Sequence, residues 1–164
     1  MKLNPTPDSR AITPFDALLI QDSLRAVKQQ SGPAAERFFQ ELFSYDASLK
    51  KHFPPDRWRR EEVLMDILER IFGQMNSAEG GAIHLEEIAR EHPTYVLNNY
   101  HHLYFGAALF SMLEVVLTAR FKIVYGSWFK LFERVVKEAK VQAAASGLLP
   151  VERHEHSFAN ATAA

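Results

Sequence analysis

The sequence contains no cysteine among its 164 residues. A disulfide framework, a thiolate metal site and a cysteine nucleophile are therefore all excluded. The chain also lacks a recognisable grouping of serine, histidine and an acid, and no paired carboxylates share an apolar segment. These absences argue against a hydrolase.

An excess of positive charge is missing as well. The lysines and arginines number 19 and the acidic residues number 20, so there is no basic field to hold nucleic acid or an anionic membrane. The longest apolar runs, such as residues 103–110, are too short to span a bilayer, and the first residues carry no apolar signal core. We therefore expect a soluble, cytoplasmic protein with neither nucleic acid nor a membrane as its partner.

Alternating strand patterns, internal repeats and a glycine-rich phosphate loop are also absent from the sequence. The chain instead has 47% hydrophobic and 12% aromatic residues, and these recur at helical spacing. A chain of this length can form one domain with a full core and is short for two. The sequence thus predicts an all-α fold in a single domain.

Capping residues and prolines indicate where the helices begin and end. Residues 13–16 form a helix start, with a threonine cap, a proline at the first helical position and an acid in the first turn. Residues 31–33 open a second helix, and Pro54 ends the helical turn that follows it. The other helices are predicted over residues 58–74, over a short segment that ends at His92, and over residues 99–119 and 121–145.

The second helix has a wide apolar face made by Phe38, Phe39, Leu42 and Phe43, so we expect this face to be buried. The predicted helices differ in length, and the chain changes direction near Pro54. Such helices do not fit a regular up-and-down bundle, but they suit an arrangement in which helices cross at steep angles around a cavity.

Several segments resemble the globin family, in particular single-domain bacterial globins and the haem domain of flavohaemoglobins. The first helix carries the family's pattern at Leu19, Ile20, Ser23 and Val27, and similar segments follow at residues 38–43, 49–53, 91–96 and 106–109. The resemblance covers residues 15–145. It implies a globin-like fold of about seven or eight helices around a haem pocket.

The resemblance implies that His92 is the proximal ligand of the iron of haem b. In this sequence 28 positions separate Leu64 from His92, as they do in the family between a distal apolar residue and the proximal ligand. Neutral imidazole is a good iron ligand when its other nitrogen donates a hydrogen bond that fixes the ring. The carbonyl of Ile88, or that of Ala89 as a second candidate, is the expected acceptor.

Further pocket residues follow from the same resemblance. Phe53 matches the phenylalanine that lies against the haem face, and Leu64 matches an apolar residue over the iron on the side opposite His92. Both would exclude water. Leu97 and Phe105 complete the apolar set that the resemblance places around the cofactor.

The sequence departs from the flavohaemoglobin pattern on the distal side. Phe39 stands where that branch usually has a tyrosine, and phenylalanine cannot donate a hydrogen bond to bound oxygen. Arg60 stands where the branch has a glutamine. Its guanidinium is the one strong distal donor expected, and its long stem allows it to lie over the gas ligand, on a haem propionate or in water.

The proximal side departs from the pattern too. His102 stands where the flavohaemoglobin branch has a tyrosine, and no glutamate of the last helix matches that tyrosine's usual partner. We therefore expect no peroxidase-like proximal chemistry. His101 or His102 as the iron ligand is the less favoured alternative to His92, and His52 is expected at the surface beside Phe53.

The domain boundaries follow from these patterns. Residues 1–12 are expected to be an N-terminal extension, residues 13–145 the globin domain, and residues 146–164 a disordered C-terminal tail. Because globin helices often pair between subunits, a homodimer is one expected assembly.

The function that the resemblance implies is haem-based binding of oxygen or another diatomic gas, as in oxygen transport or nitric oxide detoxification. Turnover of nitric oxide would require a separate reductase, because no flavin or nicotinamide domain is present in the sequence. Two alternatives stay open. One is a gas or redox sensor that signals through a partner, and the other is an interaction protein with a globin fold and no haem.

Overall fold

The computed structural model describes residues 10–75 and 99–145, and helices are the only regular secondary structure in this part of the chain. The helices are α1 (Pro14–Gln29), α2 (Ser31–Tyr45), α3 (Arg57–Met75), α4 (Asn99–Leu117) and α5 (Phe121–Ala145), with short 3₁₀ helices at Ala47–His52 and Thr118–Arg120. The all-α prediction is confirmed for the described residues. The expected helix that ends at His92, residues 1–9 of the extension and the tail at 146–164 lie outside them.

Thr13 caps the start of α1, as the sequence predicts, and the structure shows that the cap is reciprocal. The hydroxyl of Thr13 accepts a hydrogen bond from the backbone N–H of Asp16 at 3.1 Å, and the carboxylate of Asp16 accepts one from the backbone N–H of Thr13 at 2.9 Å. Both groups satisfy N–H donors that have no partner inside the helix. The chain therefore enters α1 at a defined residue.

Asp16 also joins α1 to α5, which the sequence analysis did not anticipate. The residue is 7% exposed, and its carboxylate accepts hydrogen bonds from Ser127 Oγ at 2.7 Å and Lys130 Nζ at 2.9 Å. Burial alone would raise the pKa of Asp16, but the hydrogen bonds from Thr13, Lys130 and Ser127 outweigh it and hold that pKa well below its ordinary value. The carboxylate is thus kept ionised inside the contact.

A second buried pair lies further along the same two helices. The indole Nε1 of Trp128 donates to Ser23 Oγ at 2.7 Å, and the Ser23 hydroxyl donates to the carbonyl of Ile20 at 2.9 Å. Ser23 is fully buried and Trp128 nearly so. We call Asp16, Ser23, Ser127, Trp128 and Lys130 the polar contact, and it fixes α5 against α1.

The hydrophobic core is centred on α2, which packs most extensively on α4 and also contacts α3. The apolar face expected for α2 is confirmed for Phe38, Phe39 and Leu42, which are buried, whereas Phe43 is half-buried at its edge. The largest fully buried side chains from α3, α4 and α5 are Leu64, Leu68, Met112, Leu113 and Leu131.

The crossing of α4 and α5 depends on a glycine. A Cβ atom added at Gly106 would lie 2.5 Å from Cζ of Phe132, closer than packed carbon atoms approach. The ring of Phe132 therefore lies directly against the α4 backbone. Within the described residues no helix is both long enough and apolar enough to cross a lipid bilayer.

Candidate functional site

Six of the eight residues expected at the site fall within the described part of the chain. They are Phe39 on α2, Phe53 at the end of the first 3₁₀ helix, Arg60 and Leu64 on α3, and His102 and Phe105 on α4. The other two, His92 and Leu97, lie outside the described residues.

Five phenylalanines from three parts of the chain form one continuous group of rings, which we call the aromatic wall. Its centre is Phe39, whose ring centroid lies 5.0 Å from that of Phe53, 5.1 Å from that of Phe38 and 5.6 Å from that of Phe43. Phe105 on α4 extends the wall, with its ring 5.1 Å from Phe38. Most of these pairs meet edge to face, which is a favoured geometry for aromatic side chains.

Local structure explains why Phe53 reaches the wall. Asp46 caps the 3₁₀ helix by accepting a hydrogen bond from the backbone N–H of Ser48 at 2.9 Å, and Leu49 anchors the helix in the core. The backbone N–H of Phe53 then donates to the carbonyl of Lys50, and Pro54 ends the turn. The chain therefore turns at this point with the side chain of Phe53 directed inward.

Three of the residues expected against the haem are shielded from solvent. Phe39 is 3% exposed, Phe53 is 6% exposed and Leu64 is fully buried, and all three belong to the same hydrophobic core. Of the expected residues, the structure thus brings Phe39, Phe53 and Leu64 into one core, with Phe105 joined to it through Phe38. Such a surface can exclude water from a flat, apolar ligand.

Arg60 lies at the open edge of the aromatic wall. Its guanidinium carbon is 5.1 Å from the ring centroid of Phe43 and 6.0 Å from that of Phe39, and its Nε donates a 2.6 Å hydrogen bond to the carbonyl of Pro54. Sequence analysis allowed three directions for this side chain but did not identify either partner. The guanidinium is held by the carbonyl of Pro54 and lies over the ring of Phe43.

An open cleft of about 570 Å³ lies beside this guanidinium, and we call it the cationic cleft. Its lining includes the rings of Phe39 and Phe43, three cationic side chains and one acid, the charged residues being Lys50, Arg57, Arg60 and Glu36. The sequence analysis missed this cleft. Two features of the sequence indicate such a cleft. Phe39 and Phe43 are four residues apart, which places both rings on one side of α2, and several cations follow Pro54.

His102 and Phe105 lie in the first turns of α4, and both are half-buried. Among residues 10–75 and 99–145, no group of three or more histidine or acidic side chains is arranged to hold a metal ion. His52 is exposed, as expected. The described part of the site therefore offers an apolar surface and cationic donors.

No family model matches the chain, and no curated protein or solved structure is significantly similar to it. The functional inference therefore depends on the residues of this chain and on their positions.

Proposed function

We propose that this protein is a globin-type haem protein that binds diatomic gases, with His92 as the proximal ligand of the iron. The observation that carries the proposal is the packing of Phe39, Phe53 and Leu64 into one buried surface. These are residues that the resemblance to globins places against the haem. They come from three successive elements, α2, the first 3₁₀ helix and α3.

The properties of these residues suit the proposed cofactor. Haem b is a flat and mostly apolar ring, and its iron requires only one protein ligand when the opposite position is left for a gas. A pocket for it needs apolar walls and one well-placed imidazole, rather than a cluster of metal-binding side chains. The aromatic wall and Leu64 supply apolar side chains for the first requirement, and His92 is the residue proposed to meet the second.

The position of His92 in the sequence is compatible with this role. It precedes Asn99, the first residue of α4, by seven positions, and the first turns of α4 carry Phe105, which belongs to the aromatic wall. The chain can therefore supply an imidazole to the cofactor from the segment between α3 and α4. His102, in the first turn of α4, is the alternative ligand.

The distal residues determine which gas is favoured. A bound haem would supply the iron at which the gas binds, and the protein would supply the surroundings of that gas. Phe39 offers no hydrogen-bond donor, and the hydrogen bond from Arg60 Nε to the carbonyl of Pro54 holds the guanidinium at the edge of the aromatic wall. Because bound oxygen gains more from a distal donor than carbon monoxide does, we expect stronger discrimination in favour of carbon monoxide than in globins with a distal tyrosine.

Haem titration tests the proposal. The purified full-length chain is titrated with haemin and followed by absorption, and an intense band in the violet is expected to saturate at one haemin per chain. His92→Ala should abolish this band or change its position and intensity. His52→Ala is the matched control, because His52 is exposed and lies outside the expected site, and it should leave the titration unchanged.

A further variant separates the two candidate ligands. If His102→Ala removes the band and His92→Ala does not, the proximal assignment is wrong although haem binding stands. A chain that stays colourless in haemin, or binds it equally well without either histidine, contradicts the proposed function. The ferrous protein is then exposed to carbon monoxide and to oxygen, and a shifted band with either gas reports an accessible position on the iron.

A further inference from the structure

The cationic cleft has more positive charge than its own acids neutralise. Arg57 and Glu36 form an ion pair at 2.7 Å, so their charges offset one another. Within residues 10–75 and 99–145, by contrast, no carboxylate lies within ion-pair distance of Lys50 or Arg60. Two cationic groups therefore face the cleft without an anionic partner from the described chain.

Both of these cations lie over one aromatic ring. The ammonium of Lys50 is 5.9 Å from the ring centroid of Phe43, and the guanidinium carbon of Arg60 is 5.1 Å from the same centroid. Cations on an aromatic face are held by the ring's quadrupole but keep their capacity to bind an anion. Two positive groups thus lie within 6 Å of the centre of the Phe43 ring.

The guanidinium of Arg60 is also oriented before any ligand arrives. Its Nε–H is used by the carbonyl of Pro54, which leaves the four N–H donors of its two terminal nitrogens. A planar guanidinium pairs well with the two oxygens of a carboxylate. Because the side chain is already fixed, little rotamer freedom is lost when an anion binds.

We propose that the cationic cleft binds a small aromatic carboxylate, with its carboxylate on Arg60 and Lys50 and its flat ring against Phe43 and Phe39. The volume of about 570 Å³ is sufficient for a ligand of one or two fused rings. The open side of the cleft allows such a ligand to enter directly from solvent. This site shares Phe39 and Arg60 with the distal side of the proposed haem pocket, but it does not need His92.

The test uses the full-length chain and 2-naphthoate as the probe, followed by isothermal titration calorimetry. Saturable binding at one site is expected. Arg60→Gln should weaken it roughly tenfold or more, because a charge-assisted hydrogen bond is lost, and Lys50→Gln should weaken it several-fold. Arg59→Gln and Lys51→Gln are matched controls, since each removes one exposed cation from the neighbouring position outside the cleft lining, and they should bind like the parent chain.

Two other compounds separate the contributions of charge and ring. Neutral 2-naphthamide should bind much more weakly than 2-naphthoate, and inorganic phosphate should compete only at far higher concentration. Equal affinity for 2-naphthamide, equal competition by phosphate, or an equal loss in Arg59→Gln and Arg60→Gln would each overturn the proposal, as would the absence of saturable binding.

Two checks keep the result interpretable. Circular dichroism and thermal unfolding establish that each variant is folded, and if Arg60→Gln is not, the comparison of Lys50→Gln with Lys51→Gln decides the proposal, because both side chains are exposed. His92→Ala should leave naphthoate binding unchanged. The cleft and the haem proposal can therefore fail independently.

Discussion

Different interactions stabilise two regions of the protein. One region is the contact between α1 and α5, and the other is the corner formed by α2, the first 3₁₀ helix and α3. In the polar contact, each buried polar group has a defined partner, as Asp16 has in Ser127 and Lys130. In the aromatic wall, rings pack edge to face without directional bonds from their side chains. Hydrogen bonds specify one geometry, whereas packed rings tolerate small displacements. A ligand pocket is more easily formed at the second kind of surface.

This difference explains where the candidate sites lie. The donors of the polar contact are used within the protein, so that region has little left to offer a ligand. At the corner, Arg60 keeps four N–H groups and Lys50 keeps its ammonium, both next to exposed edges of the wall. The polar contact therefore fixes the helices, whereas the corner offers groups that can bind a ligand.

Removal of a ring from the aromatic wall should give the largest loss of stability. Phe53→Ala deletes a side chain that is 6% exposed, and the cavity that remains should cost about 3 kcal/mol of unfolding free energy. Urea denaturation of the haem-free protein measures this loss. Phe15→Ala is the control, because Phe15 is 67% exposed and its truncation should cost less than about 0.5 kcal/mol. A similar loss in both variants would contradict the packing described for the wall.

Removal of a charge from the polar contact should have a smaller effect. Asp16→Asn keeps the shape of the side chain but loses the ion pair with Lys130, and it should cost about 2 kcal/mol in urea denaturation at neutral pH. Asp22→Asn is the matched control. Asp22 pairs with Arg120 on the surface, where its side chain is 57% exposed, so the expected cost is below about 1 kcal/mol.

The pH dependence of the stability of Asp16→Asn distinguishes the two regions. The pKa of Asp16 in the folded protein lies below its ordinary value of 3.8, so its contribution is complete above that value and is lost as the pH falls toward the folded pKa. The difference between Asp16→Asn and the parent chain should therefore shrink below about pH 4. The loss in Phe53→Ala should not follow this trend, since a phenyl ring does not titrate. A constant difference for Asp16→Asn would argue against an ionised buried carboxylate.

Sequence reasoning predicted the helices well because caps and breakers act locally. The start at Thr13 and the bounds of the last helix at 121–145 agree with the structure, while the helix expected at 58–74 is Arg57–Met75. The burial of Phe39, Phe53 and Leu64 followed from helical periodicity together with the resemblance to globins. These are properties of short segments or of residue type.

The interactions that were missed join residues distant in sequence or depend on side-chain direction. Asp16 and Lys130 are separated by 114 positions, so no local pattern connects them. The direction of Arg60 depends on the carbonyl of Pro54 and on the ring of Phe43, which only the folded corner brings together. A long side chain has several rotamers of similar energy, and the tertiary surroundings select one of them.

A substitution in the turn between α4 and α5 should have the smallest effect, and it should stabilise the folded protein. Thr118 is exposed and has a backbone φ of 51°, and it is the one non-glycine residue with positive φ in the described ranges 10–75 and 99–145. A β-branched residue is strained in this region, whereas glycine adopts it readily. Thr118→Gly should raise the unfolding free energy by about 0.5 kcal/mol, because relief of strain exceeds the added freedom of the unfolded chain.

Ala119→Gly is the control for this variant. Ala119 is the next residue and is also exposed, but its backbone φ is not positive. That change should lower the unfolding free energy by about 0.5 kcal/mol, through the freedom that glycine adds to the unfolded state. Thermal unfolding of both variants gives the sign of each effect. Opposite signs would indicate that the backbone at Thr118, where the chain enters α5, is strained in the parent protein. A loss of stability in Thr118→Gly would instead mean that the threonine side chain contributes more to the turn than its backbone strain costs.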